Sequence, residues 1–316
     1  MLSLAWWSVL MLEDSPIVVV AIVTHRRPVE LGRLLEGLKK SSLPVRGCVV
    51  SDHAPGGKTR EIAARGGIEV IVREDGTNPG PGVGWAKAAE LALAHFGPNV
   101  DAVWFLDDDV VIAPDALRIL WEAMTSSGAG GAAPLLEDAA GRLWAFPEPE
   151  APELRETIRK AVTCADAARL IGPEPQPSVW CTGASFLVSR QAIDAVGFHR
   201  GDFWMLGEDL EYSMRVASRC GVVFTTRVVV PHLPEPGSDP EAARRGDYRK
   251  FLALLQNVSY LGFHCPHSAH MKWYVAGNFR RFFRTHGLRG LGDALRCFWE
   301  GAVRGRAAAQ RRGGHF

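Results

Sequence analysis

The sequence lacks most of the features that would set it apart from an ordinary globular protein. Its 316 residues include only six cysteines, and no pair of them has the C-x-x-C spacing of a zinc or redox site. Lys and Arg number 36 against 35 Asp and Glu, so the net charge of +1 indicates no particular partner, and we expect no nucleic acid. A hydrophobic fraction of 47% excludes disorder, and no internal repeat is visible. The few, scattered cysteines favour a reducing, cytoplasmic compartment.

The two ends of the chain differ in composition from the rest. Residues 1–12 are apolar but too short to span a bilayer, and we interpret 1–16 as an extension packed on the body, with a peripheral membrane anchor as the alternative. Residues 271–316 contain ten Lys or Arg and only two acidic residues. We expect residues 301–316 to form a basic flexible tail. Solvation of its arginines is favoured over peripheral contact with the cytoplasmic face of a membrane, which stays an alternative.

Between these ends, β-branched runs alternate with helical patterns. The run Ile17–Val23 is typical of a strand buried on both faces, and Pro28 then opens a helix whose leucines at 31, 34, 35 and 38 share one face. Further strands are predicted near 46–51, 69–72, 102–106 and 222–230, with helices between them. This alternation predicts an α/β fold with a mostly parallel sheet, flanked by helices, over residues 17–235. Two helical stretches then predict a C-terminal helical region over 236–300.

Acidic residues follow one of these predicted strands directly. Asp107, Asp108 and Asp109 come after the apolar run AVWFL, and alternation in an extended segment directs Asp107 and Asp109 to the same side, where they could share one divalent ion. A solvated acidic turn that caps the next helix is an equally good interpretation of these residues alone. Two later signals bear on the choice, the acidic start of the helix GEDLEY and His232 at the end of a strand.

Two proline-rich segments interrupt the alternating pattern. Residues 147–177 contain six prolines around a short predicted helix, and residues 233–246 contain prolines at 234, 236 and 240. Long loops of this kind are often functional, so we expect both segments to border the active site and to order when a ligand binds. A permanently mobile surface loop is the alternative for the second segment.

Taken in order, the motifs resemble glycosyltransferase family 2, and most closely its rhamnosyltransferase and galactofuranosyltransferase-like members. The resemblance covers roughly residues 17–285 and rests on the segments VVVAIVTHRRP, NPGPGVGWAKAAELAL, FLDDDVVIAPDAL, WCTGASFLVSRQAIDAVGF, GEDLEYSMRVASRCG, VVVPH and WYVAGNFRRFF. It implies a GT-A, Rossmann-like fold and an inverting, metal-dependent enzyme that uses a nucleoside-diphosphate sugar, UDP- or dTDP-linked. The acceptor would be a saccharide, a lipid-linked sugar or a small molecule.

The resemblance also implies roles for individual residues. The acidic motif Asp107 and Asp109, with His232, would hold Mn²⁺ or Mg²⁺. Asp209 would be the catalytic base, because an acceptor hydroxyl has to lose its proton as it attacks the anomeric carbon. The residues expected to contact the donor or acceptor are Thr24, Arg27, Asp52, Asn78, Gly80, Gly84, Lys87, Asp108, Trp180, Thr182, Trp204 and Glu208. Among these, Thr24, Arg27 and Asp52 would form the pocket for the base and ribose.

The sequence departs from the family pattern at two places. Ala88 stands where close relatives often have glycine, and DHAPGG after the second strand lacks the usual Asn-Gly turn, so the donor-binding geometry is not fixed by the resemblance. Two rival functions remain, a catalytically silent sugar-binding or scaffold protein and a nucleotidyltransferase. The silent binder is disfavoured because it has no need of a base beside a metal site. The nucleotidyltransferase is disfavoured because it needs a glycine-rich loop after the first strand, which THRRPVELG does not supply.

Overall fold

The structure, a computed structural model, describes residues 15–65, 67–144, 147–233, 248–265 and 268–311. The strands are β1 Val18–Thr24, β2 Gly47–Asp52, β3 Val70–Glu74, β4 Ala102–Asp107, β5 Gly131–Glu137, β6 Leu143–Trp144, β7 Glu148–Pro149, β8 Gln176–Trp180, β9 Ser185–Ser189 and β10 Val222–Pro231. The helices are α1 Pro28–Lys39, α2 Lys58–Ala64, α3 Pro81–Phe96, α4 Ala116–Ser127, α5 Pro152–Ile158, α6 Cys164–Ile171, α7 Arg190–Val196, α8 Glu208–Cys220, α9 Tyr248–His264, α10 Ser268–His286 and α11 Leu291–Arg311.

One mixed sheet organises the chain between residues 18 and 231. Its strand order is β3-β2-β1-β4-β9-β5-β10-β8-β7, and β6 pairs with β5 at the side. The long ladders, β1 with β2, β1 with β4, β2 with β3 and β5 with β10, are parallel, so the prediction of a mostly parallel sheet is confirmed. The antiparallel strand β9 lies between β4 and β5. Because Thr24 is in register with Asp52, and Val23 with Asp107, the polar ends of β1, β2 and β4 meet at one edge of the sheet.

Helices cover both faces of this sheet. The leucines of α1 and the apolar residues of α4 pack on the face that carries Val18, Val20 and Ile22. On the other face, α3, α7 and α8 pack against Val19 and Ala21 of the same strand. Strand β1 is therefore buried on both sides, as its uninterrupted β-branched sequence predicts.

The C-terminal helices attach to the sheet domain through α8. Tyr260 and Leu261 of α9 share a core cluster with Phe203 and with Met214 of α8. A second cluster joins α9, α10 and α11 to one another through Phe251, Phe282 and Ala294. The helix α11 runs on to Arg311, so the first eleven residues of the expected flexible tail are helical, while the last five lie outside the described residues.

Several local expectations differ from the structure. The sequence NPGPGVGWAKAAELAL predicts a helix that starts near Trp85, after a glycine-rich loop, but helix α3 begins at Pro81, because proline suits the first helical turn and the glycines that follow it allow close packing. The segment 147–177 forms two helices and pairs as β7 with β8, so it is not one long loop. Of the second proline-rich segment, only Leu233 lies within the described residues, and its expected ordering stays a prediction. No described helix has a stretch that is long and apolar enough to cross a bilayer.

The packing of α1 gives a test of the fold. We expect Leu34→Ala to lower the free energy of unfolding by about 2–5 kcal/mol, because Leu34 is fully buried between α1 and the sheet and its truncation leaves a cavity. Val29→Ala on the same helix is the control, since Val29 is 71% exposed and its truncation should change stability by less than about 0.5 kcal/mol. Urea unfolding measures both, and equal losses would contradict the assigned orientation of α1.

Candidate active site

The acidic residues after β4 lie among positively charged and donor groups at the edge of the sheet. Thr24 donates a hydrogen bond from Oγ1 to Oδ2 of Asp108 at 2.7 Å. The Nη1 of Arg27 lies 3.1 Å from Oδ1 of Asp108 and 2.5 Å from Oδ2 of Asp109. Asp108 and Asp109 are both buried. In this structure Thr24 and Arg27 therefore bind the carboxylates of Asp108 and Asp109. Their expected place in a pocket for the base and ribose stays a prediction.

His232 reaches the same cluster from β10. Its Nε2 lies 3.2 Å from Oδ1 of Asp109 and 4.0 Å from Oδ2 of Asp107. The backbone holds it in place, because His232 N donates to Glu137 O at 2.8 Å and Leu233 N donates to Asp109 O at 2.9 Å. The imidazole points at the carboxylates and not into the core, as the sequence-based assignment requires.

Trp144 of β6 covers the other side of the imidazole. The two rings stack with centroids 4.2 Å apart and planes 10° from parallel. Stacking of this kind restricts rotation of the His232 side chain while leaving Nε2 free to face Asp109. The segment RLWAFPEP carries no pattern that would single out Trp144, so its contact could be found only from the structure.

These residues fit a divalent cation. Asp107, Asp109 and His232 each offer one ligand atom, and the three atoms lie within 4.8 Å of one another. Oδ1 of Asp109 is buried and, among the described residues, accepts no well-aligned hydrogen bond, so a lone pair remains for a ligand. Two carboxylate oxygens and one imidazole nitrogen are ligands that suit Mn²⁺ or Mg²⁺ better than structural zinc.

Burial and mutual repulsion set the protonation of the cluster. Burial, and then the charge of Asp109, raise the pKa of Asp107 to about 7. Burial also raises the pKa of Asp108 to about 7, against the opposing effect of Arg27. For Asp109, burial is outweighed by the neighbouring His232 and Arg27, which lower the pKa of this carboxyl. Burial lowers the pKa of His232, but Asp109 and Asp107 outweigh it, so the net shift is upward. Arg27 and His232 thus favour the ionised form of Asp109, whereas burial disfavours the ionised forms of Asp107 and Asp108.

Asp209 lies in the first turn of α8, close to the acidic cluster. The backbone N–H of Gly183 donates to its Oδ2 at 3.0 Å, and Leu210 N donates to its Oδ1 at 2.8 Å. The charge of Asp209 contributes to the raised pKa of Asp107, so the two carboxylates act on each other. A side chain added at Gly183 would meet the Trp85 ring at 2.6 Å and Cβ of Asp209 at 3.0 Å. Only glycine at 183 allows this approach.

The neighbouring carboxyl of Glu208 has a different environment. Glu208 is buried, and its Cβ lies 3.2 Å from the position where a side chain on Gly82 of α3 would begin. Its Oε2 has no hydrogen-bond partner among the described residues. Burial, with a contribution from Asp209, raises the pKa of Glu208 well above its usual value. Asp209 is partly exposed whereas Glu208 is buried, so Asp209 is the better placed of the two to meet an acceptor hydroxyl.

A residue of the C-terminal region fixes the turn that leads into α8. Leu206 and Gly207 both have positive φ, 65° and 100°, which is unfavourable for a leucine. Nδ2 of the buried Asn257 donates to the carbonyls of Met205 and Leu206 at 3.0 and 2.9 Å. Helix α9 therefore positions the start of α8, and with it Asp209. The sequence pattern gave no indication of this role.

The predicted donor loop packs closely against the segment before α8. Gly80 has a φ of 91°, and a side chain there would meet the carbonyl oxygen of Trp204 at 1.8 Å. Trp204 Nε1 in turn donates to Asn78 O at 3.4 Å, and Asn78 Oδ1 accepts from Gly80 N at 3.0 Å. A side chain at Gly84 would likewise meet the buried His53 ring, at 2.6 Å. Asn78, Gly80 and Trp204 thus form one unit, as the shared assignment to substrate binding requires.

Four other predicted residues are less closely joined to the acidic cluster. The carboxylate of Asp52 is buried and closes its own turn by accepting from Ala54 N at 2.9 Å. Lys87 is exposed on α3, Trp180 packs on the core cluster of Phe203, and Thr182 lies half-buried beside Gly183. Their assignment to donor or acceptor binding stays a prediction.

Comparisons with known proteins agree with this geometry. Residues 19–168 match the model of a family described as glycosyl transferase family 2, a range that includes the three aspartates but neither Asp209 nor His232. No curated protein sequence matches the chain. A structure of S. aureus TarS 1–349 with UDP-GlcNAc is 14% identical, with a TM-score of 0.60 over 91% of this chain and 81% of that one. The same TarS fragment with UDP is 14% identical, with a TM-score of 0.55 over 87% and 74%.

A third solved structure has the same fold at the same low identity. GalNAc-T7 with UDP, GalNAc and Mn²⁺ is 16% identical, with a TM-score of 0.54 over 78% of this chain and 48% of that one. The expected GT-A architecture is therefore confirmed.

The contact between α9 and the turn before α8 can be tested by removing the amide. We expect Asn257→Ala to lower the free energy of unfolding by about 1–3 kcal/mol, because two buried carbonyls lose their donor. Gln256→Ala removes a neighbouring amide that bonds only to the exposed Glu300, and it should cost less than about 0.5 kcal/mol. Denaturant titration of both variants is the measurement. A cost for Asn257→Ala no larger than that of the control would exclude the positioning role.

Proposed function

We propose that this chain, a glycosyltransferase whose residues 19–168 belong to glycosyl transferase family 2, moves a sugar from a nucleoside-diphosphate donor to an acceptor hydroxyl with inversion. The observation that carries the proposal is the convergence of Asp107, Asp109 and His232 beside Asp209 at one edge of the sheet. UDP or UDP-GlcNAc bound to TarS, and UDP bound to GalNAc-T7, support a uridine nucleotide in the donor. A dTDP-linked donor is the alternative.

In this proposal Asp209 accepts the proton of the acceptor hydroxyl. Hydrogen bonds from two backbone N–H groups fix the orientation of its carboxylate, which is partly exposed and can therefore meet an acceptor hydroxyl. A single displacement on the face opposite the leaving group inverts the anomeric centre. The preceding residue, Glu208, is buried, and burial raises the pKa of its carboxyl well above the usual value, which disfavours a second negative charge there.

Asp107, Asp109 and His232 would hold Mn²⁺ or Mg²⁺ in this enzyme. The bound cation would neutralise the negative charge that grows on the nucleoside diphosphate as it leaves. Mn²⁺ in the GalNAc-T7 structure supports this assignment, as does the buried Oδ1 of Asp109, which faces His232 and accepts no well-aligned hydrogen bond among the described residues. Arg27 and Thr24 hold the carboxylates of Asp108 and Asp109 in position, and Trp144 holds the imidazole. The acceptor, a cytoplasmic location and the division at residues 16, 235 and 300 remain predictions.

Replacement of the base tests the reaction. We expect Asp209→Asn to lower turnover by about 10²–10⁴-fold, because the amide oxygen can still accept from Gly183 but cannot take up a proton. Release of UDP or dTDP from a panel of nucleotide sugars with Mn²⁺ measures this, with water as the acceptor. Asp194→Asn, which changes a carboxylate in an exposed ion pair with Arg190, is the control. Unchanged turnover of Asp209→Asn would assign the base to another residue, and a complete lack of donor cleavage by the wild type would favour a silent binder.

The pKa of Asp107 predicts how cation binding depends on pH. A carboxylate binds a cation only after it has lost its proton, and burial raises the pKa of Asp107 to about 7. The upward shift of the pKa of His232 acts in the same direction, since only neutral imidazole is a ligand. We therefore expect the affinity for Mn²⁺ to increase as the pH rises from 6 to 8, by up to about tenfold per pH unit below the pKa of Asp107.

Calorimetric titration of the whole protein with Mn²⁺ measures this dependence without turnover. Asp109→Asn should abolish binding, whereas Asp138→Asn, outside the cluster, should leave it unchanged. Affinity that is independent of pH, or that survives in Asp109→Asn, would place the cation elsewhere.

A further inference from the structure

Helix α11 exposes large apolar side chains along one side. The 3₁₀ turn before it exposes Leu288 by 79%, and the helix itself exposes Trp299 by 68% and Leu295 by 55%. We define the C-terminal apolar face as Leu288, Leu291, Leu295, Trp299 and Val303, all of which are exposed. A continuous apolar surface of this kind on a globular protein commonly marks an interaction site.

This surface is not the side on which α11 packs. Leu291, Leu295, Trp299 and Val303 recur every four residues and so form one ridge along the helix. Ala294 and Cys297 are buried against α9 and α10, and Gly301 approaches the Gln256 carbonyl so closely that a side chain there would meet it at 2.2 Å. At 100° per residue, the centre of the buried side is about 150° from the centre of the ridge. Among the described residues, folding therefore buries one apolar side of α11 and leaves a second apolar side exposed.

The chain segment that carries this face is strongly basic. Residues 271–316 contain ten Lys or Arg and two acidic residues, Asp293 and Glu300. Arg280, Arg284 and Arg296 are exposed on the same helical unit. Helices that lie in the interface of a bilayer are typically rich in tryptophan and arginine. The indole lies at the level of the headgroups, and the cations bind the phosphates.

We propose that the C-terminal apolar face binds an anionic phospholipid bilayer, with α11 lying in the plane of the interface. The leucines and Trp299 would enter the boundary between headgroups and acyl chains, while the arginines would face the lipid phosphates. This mode needs no spanning segment, in keeping with the absence of one among the described helices. It does not depend on the proposed function, because membrane binding is measured without turnover.

Charge argues against a second copy of this chain as the occupant. A symmetric pairing through the C-terminal apolar face would bring the arginines of two basic regions together, and repulsion between them would oppose association. An anionic bilayer instead supplies phosphates to these cations, each of which adds to the attraction. The same surface composition therefore favours a lipid partner and disfavours self-association.

Flotation of the full chain with vesicles tests the proposal. We expect binding to vesicles of phosphatidylcholine and phosphatidylglycerol at 7:3, and at least tenfold weaker binding to phosphatidylcholine alone. Raising NaCl from 50 to 500 mM should weaken the binding by a similar factor, because salt screens exposed charges. Leu295→Ser with Trp299→Ser should reduce the partition coefficient at least tenfold, and Arg280→Gln with Arg284→Gln should reduce the preference for anionic lipid.

Val162→Ser is the matched control, since Val162 is also exposed but lies in the sheet domain. Thermal melting should show unchanged folding for every variant, because all the substituted side chains are exposed. Equal binding of the wild type to neutral and anionic vesicles, or unchanged binding of the Leu295 and Trp299 variant, would overturn the proposal. A dimer in sedimentation that this variant dissociates, together with no vesicle binding, would show that a second copy covers the face.

Discussion

Crowding of negative charge at the end of β4 is the constraint on which the rest of the site depends. Three consecutive aspartates, two of them buried, repel one another in a medium that screens charge poorly. Arg27 from the start of α1 and His232 from the end of β10 are each placed to reduce this repulsion. The end of β4, the start of α1 and the end of β10 must therefore all meet at these carboxylates. The same excess of negative charge makes the site receptive to a divalent cation.

The sheet topology brings Asp209, the proposed base, to this charge cluster. Strand β9 runs antiparallel between β4 and β5, and the segment before it places Gly183 and Ala184 beside the end of β4. The Gly183 amide then holds Asp209, and the Ala184 carbonyl accepts from Asp107 N at 3.1 Å. One short segment thus links the base and the first aspartate. The C-terminal helices complete the arrangement from the other side, because Asn257 holds the turn from which α8 begins.

Glycines that allow close packing are equally necessary for this arrangement. Gly80 allows the Trp204 carbonyl, and Gly183 allows the Trp85 ring, to approach closer than any Cβ would permit. Glycine loses more chain entropy on folding than other residues, so we attribute its use at these two positions to the close approach that it allows. The match to the family ends at residue 168, so Asp209 and His232 come from the part of the chain that follows it. Its geometry follows from these contacts, whereas the identity to solved neighbours is only 14–16%.

The sequence by itself determined the α/β class, the buried β1 and the helical face of α1. Each of these follows from local period, and local rules act between near neighbours in the chain. The grouping of Asp107 and Asp109 with His232 was expected only from the resemblance to a family. Only the tertiary structure decided that Trp144 stacks on His232, that Thr24 and Arg27 bind the aspartates, that Glu208 is buried while Asp209 is partly exposed, and that α11 has an uncovered apolar side. Some of these contacts join residues that are 80 or more positions apart in the sequence, and the others depend on which side of a helix is covered. Neither kind of contact produces a periodic pattern in the sequence.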